Sequence, residues 1–74
     1  MDSAREVILL RELGERLKKI RNERGLRVRE LADLAGMGYT NVNNIENGKV
    51  NPQYTTLIAL AEVLQVEPSA LMPK

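Results

Sequence analysis

The sequence predicts an all-α fold in one small domain, and three observations carry that prediction. The 74 residues are 43% hydrophobic but include no Trp or Phe and only two Tyr, so the core must come from Leu, Ile, Val and Ala, the side chains of a compact helical bundle. Apolar residues recur at intervals of three and four along most of the chain, the spacing of one helix face. No segment sustains a two-residue alternation, and "VLQV" at 63–66 is too short to argue for a strand.

The first helix is predicted in "DSAREVILLRELGERLKKIRNERGL". Ser3 and Glu6 stand at capping-box spacing, and Gly25 is a natural C-terminal stop. Between them Leu10, Leu13, Leu17 and Ile20 form one stripe. Gly14 costs a helix about 1 kcal/mol relative to Ala, which predicts a bend or break at that point. Residues 1–12 are predicted to be an N-terminal extension of this helix, and residues 13–74 the domain proper. On a helical wheel Leu9 and Leu10 lie near the stripe, while Val7 falls to one side and Ile8 almost opposite, a candidate contact for a second copy.

A short second helix is predicted in "RVRELADLAG", with Val28, Leu31, Ala32 and Ala35 facing inward and Gly36 closing it. "YTNVNNIEN" follows as the third, seated by Val42 and Ile45. "NGKVNP" is rich in turn residues. Asn51 and Pro52 suit an N-cap and a first helical position for a fourth helix whose buried stripe is Leu57, Leu60, Ala61 and Leu64. Pro68 starts a last short turn, "PSALM".

Composition removes several function classes. Without Cys there are no disulfides or thiolate metal sites, and without His the commonest general base near neutral pH is missing. No nucleophile and base pair, metal cluster or phosphate-cradling loop stands out. The chain is read as a non-enzyme that needs no cofactor, metal or small-molecule ligand. No apolar run approaches the ~20 residues that span a bilayer, and the first residues lack a signal design, so a cytoplasmic protein is expected. The net charge of +1 hides an asymmetry: residues 1–29 hold nine Lys/Arg against five Asp/Glu, residues 30–74 two against five.

The second and third helices form a unit with a specific filling. A helix-turn-helix needs a small residue where the helices cross, a turn residue tolerant of positive φ, and apolar residues that seat one helix on the other. Ala32 is the small residue, Gly36 the turn residue, and Leu31, Ala35, Met37, Val42 and Ile45 the apolar set.

With "LGERLKKIRNERGL", "ELADLAG", "IENGK", "NP" and "LIALAEVLQV" in this order, residues 13–71 resemble the Cro and phage-repressor (XRE-like) helix-turn-helix family. The resemblance implies a five-helix, lambda-repressor-like domain that docks its third helix in the major groove, usually as a homodimer on a pseudo-palindromic operator in double-stranded DNA. It further implies that Tyr39, Thr40, Asn43 and Asn44 approach base edges, with Asn41 turned away. Asparagine suits this task, since its amide pairs with N6 and N7 of adenine. Arg27, Arg29, Asn47, Lys49 and Asn51 are expected near phosphates. Glu46 is expected to pair with Arg21 as a structural brace. The family's usual dimer surface falls around Val66, Leu71 and Met72.

Two departures stand out. Many members carry Gln, which contacts the backbone and braces a base reader, where this chain has Val28; Arg27 or Arg29 is the candidate substitute. Gly38 replaces the usual Ser or Thr cap of the third helix. Read as complete, the chain holds no sensor domain, which implies a stand-alone, autoregulatory repressor or controller. The alternative is a protein-interaction module, antitoxin-like or an adaptor, using the same fold without reading DNA.

Overall fold

Asp2, rather than Ser3, opens the first helix in the computed structural model, which describes residues 2–72; of the expected extension at 1–12 and domain at 13–74, Met1, Pro73 and Lys74 lie outside the described residues. The Asp2 carboxylate accepts a hydrogen bond from the Ala4 N–H at 3.1 Å. Ser3 is therefore the first helical residue and not the cap. Glu6 lies in the first turn, where a carboxylate opposes the positive helix end.

Helix α1 (Ser3–Glu23) runs without interruption, so the expected break at Gly14 does not occur. The glycine serves a tertiary contact: a Cβ built on it would meet the Ile45 carbonyl oxygen at 2.6 Å and overlap that of Glu46. The missing side chain lets the end of α3 (Tyr39–Glu46) rest directly on α1. Helix α2 (Val28–Ala35) precedes α3 across a three-residue turn in which Gly36 adopts φ 69°. Gly38 takes the N-cap position of α3.

Helix α4 (Tyr54–Leu64) begins two residues later than Asn51 and Pro52 suggested. Gln53 is its N-cap, its carbonyl accepting from the Thr56 and Leu57 N–H groups at 3.1 and 3.2 Å. The reason is packing: Pro52 lines a shallow cleft with Met37, Ile45 and Val50, so the chain crosses from α3 before it can coil. A 3-10 turn (Pro68–Leu71) ends the described chain.

Four α-helices and one 3-10 turn, with no strand among the described residues, make the fold all-helical. Helix α1 packs on α3, α3 on α2, and α2 on α4, while the 3-10 turn closes against α4 and α1. The core holds Leu13 and Leu17 from α1, Leu31 and Ala32 from α2, Val42 and Ile45 from α3, Leu57, Leu60, Ala61 and Leu64 from α4, and Leu71. Leu71 is thus removed from the expected dimer surface: the 3-10 turn folds its side chain inward, where it has no exposed area. Val66 and Met72 pack on the core partly buried. No helix among the described residues is long and apolar enough to cross a membrane.

Candidate nucleic-acid interface

The outward face of α3 follows from what its inward face buries. Val42, Ile45 and Glu46 are buried, and at about 100° per residue the opposite side carries Thr40, Asn44 and Asn47, with Asn43 and Tyr39 beside them. Thr40 and Asn47 are exposed, Asn43 and Asn44 half-buried, and Tyr39 is 46% exposed. Asn41 points along another edge, into the cleft with Pro52 and Thr56. The face thus presents hydroxyl and amide groups and no charge.

Its neutrality is arranged. Glu46, the one acid of α3, lies 9% exposed against Arg21, itself 7% exposed. Arg21 Nε donates to Glu46 Oε2 at 2.6 Å and Nη2 to Oε1 at 3.0 Å, a two-pronged pair. The remaining Nη1 donates to the Leu26 carbonyl at 2.7 Å. A buried carboxylate with one partner removed costs about 3–5 kcal/mol, so the pair locks α3 to α1 and to the turn before α2. It also keeps the carboxylate away from the outward face.

The end of α3 is closed by its own backbone. Gly48 at φ 70° lets its N–H reach the Ile45 carbonyl at 3.1 Å, and the Lys49 N–H reach that of Asn44 at 2.9 Å. This is a Schellman closure, which needs a left-handed residue. A Cβ on Gly48 would also lie 3.1 Å from the Arg11 Cα, so the loop sits against the backbone of α1. Lys49 and Asn51 are exposed on that loop.

Positive charge stands at the other end as well. Arg27 is the N-cap of α2, its N–H held by Glu30 Oε1 at 2.8 Å and its side chain exposed. Arg29, two residues on, lies with its guanidinium carbon 5.3 Å from the centre of the Tyr39 ring. Cations therefore flank a neutral, hydrogen-bonding helix face at both ends. Sequence reading missed this stacking, because spacing along the chain does not show which side chains of two crossing helices meet. It also missed the Gly14 contact, because a glycine inside a helical pattern signals only a cost to the helix and not what lies against it.

The helix-turn-helix family matches the chain over residues 17–71. The transcriptional repressor RghR of Bacillus subtilis is 38% identical over 66 residues, 88% of this chain and 49% of its own length. The restriction-modification controller protein C.AhdI of Aeromonas hydrophila superposes with a TM-score of 0.83 at 33% identity, covering 85% of this chain and 96% of that one. SinR, a master regulator for biofilm formation solved in complex with DNA, superposes with a TM-score of 0.75 at 35% identity, covering 80% of this chain and 95% of that one. The chain spans about half or less of the length of the curated relatives it matches. By the extent of these matches and the packing of α2 on α3, the chain belongs to the helix-turn-helix family.

Proposed function

We propose that this chain is the DNA-reading unit of a transcriptional regulator, acting as a homodimer that inserts α3 into the major groove at each half of a pseudo-palindromic operator. The observation that carries the reading is the outward face of α3: uncharged, rich in amide and hydroxyl groups, rigidly mounted, and flanked by cations. Base edges are read by hydrogen bonds and phosphates by charge, and here the two tasks fall to different residues. Tyr39, Thr40, Asn43 and Asn44 face the bases. Arg27, Asn47, Lys49 and Asn51 hold the phosphates on either side, with Arg29 at the same edge. The similarity to regulators named as repressor and controller supports a regulatory output, and the DNA-bound relative supports the partner. Cytoplasmic location follows from this role.

The test is fluorescence anisotropy against the DNA upstream of the protein's own gene and against sequences selected from a random pool, with a shuffled control, at several salt concentrations. Log affinity is expected to fall with log salt by about 0.9 per phosphate neutralised. Asn44→Ala is expected to weaken the specific complex about tenfold or more, with the helical circular dichroism unchanged. A protein that enriches no sequence and binds without salt dependence would instead be an interaction module built on the same fold.

A further inference from the structure

We propose that Arg29 and Tyr39 form a single specificity element, in which the phenol ring holds the guanidinium ready to read a guanine at the edge of each half-site. The proposal rests on the DNA-reading function above. Arg29 lies in the first turn of α2 and Tyr39 is the first residue of α3, and the two meet across the turn with the guanidinium carbon 5.3 Å from the ring centre. A guanidinium held over a ring by cation–π attraction spends none of its N–H donors on that contact. Two other arginines of this domain have donors engaged: Arg21 by Glu46 and Leu26, Arg24 by the Leu64 carbonyl. Among the described residues no hydrogen bond or ion pair takes the guanidinium of Arg29. The result is an unspent two-pronged donor, held beside the groove-facing start of α3. O6 and N7 of guanine are the base-edge acceptors that match this fork. The same fork fits phosphate oxygens, and a base preference that depends on Arg29 is what separates the two roles. Val28, packed on the core, has no group to brace a base reader.

The experiment combines selection from random DNA with anisotropy for the parent and for Arg29→Ala, Arg29→Lys, Tyr39→Phe, Tyr39→Leu and the Arg29→Ala/Tyr39→Leu double variant. Both residues are exposed, so each variant is expected to keep the parent circular dichroism. The parent should select a guanine at one position of each half-site. Arg29→Ala should lose that preference and about 10- to 100-fold in affinity for the selected site. Arg29→Lys should keep the charge but lose the preference, because an ammonium has no fork. Tyr39→Phe keeps the ring and should therefore keep the guanine preference, whatever its hydroxyl adds to affinity, whereas Tyr39→Leu should weaken that preference. The double variant should lose no more of the guanine preference than Arg29→Ala does, since the two act as one on that base. A guanine preference that survives Arg29→Ala, or independent losses that fall equally on selected and shuffled DNA, would reduce Arg29 to a phosphate contact and overturn the proposal alone. A parent that selects no sequence would overturn the DNA-reading function, and this proposal with it.

Discussion

Gly14 shows how one residue can be wrong for its helix and right for the molecule. Within α1 an alanine would be the better helix former by about 1 kcal/mol. Its methyl group, however, would meet the backbone of Ile45 and Glu46, atoms that cannot rotate aside. Gly14→Ala is expected to lower stability by about 1–3 kcal/mol net, as overpacking does, measured by urea denaturation. Stability equal to the parent's would mean that α1 and α3 separate freely, contrary to the close contact described. Glu46 makes the complementary point. It is a charged residue with almost no access to water, and it is kept so because both carboxylate oxygens and all three guanidinium nitrogens of Arg21 are occupied.

The four α-helices end alike. After each, a left-handed residue turns the chain so that two successive N–H groups close on the last free carbonyls: Gly25 and Leu26 on Asn22 and Arg21, Gly36 and Met37 on Asp33 and Ala32, Gly48 and Lys49 on Ile45 and Asn44, Gln65 and Val66 on Glu62 and Ala61. Three of these turns use glycine, and the fourth places Gln65 at φ 59°. A left-handed conformation costs a residue with a Cβ about 1–2 kcal/mol, partly offset by the greater freedom of glycine in the unfolded chain. Gln65→Gly should therefore stabilise the protein by about 0.5–1 kcal/mol and raise Tm by several degrees in a calorimetric scan. An unchanged or lower Tm would locate a compensating role in the glutamine side chain. Arg24 helps close the same helix, donating from Nε to the Leu64 carbonyl at 2.7 Å.

At the scale of the whole molecule, size and charge set what one copy can do. The described chain extends 33 × 23 × 20 Å, close to the ~34 Å that separates successive major-groove half-sites on one face of DNA. On the proposed reading one domain covers one half-site, and a single short recognition helix reads too few base pairs for a unique address. Sedimentation of the complex with a selected operator is expected to give two chains per duplex, and a half-site duplex to bind far more weakly. Saturation at one chain per full operator would sink the dimer.

The helices themselves were legible in the sequence to within a residue or two, because periodicity, glycine stops and caps act over one or two turns of chain. The buried stripes of α1, α2 and α4 and the turn at Gly36 follow from that short range. The larger errors have one cause. Asp2 supplanting Ser3 is a local exception, a cap two residues from its partner, but Pro52 held outside α4, Gly14 serving α3, and Leu71 turned into the core all depend on what lies opposite in space. The same holds within the candidate site. Arg21 and Glu46 stand 25 positions apart, and no local pattern pairs them; only the likeness to a known family suggested it. Nor does any spacing set Arg29 over Tyr39. The sequence by itself determined the helices, their order and the neutral polar face of α3, since these depend on neighbours along the chain. Only the tertiary structure decided how closely α1 and α3 approach, which charge is buried and which arginine lies over the Tyr39 ring, because packing and desolvation are settled between residues that the chain does not place side by side.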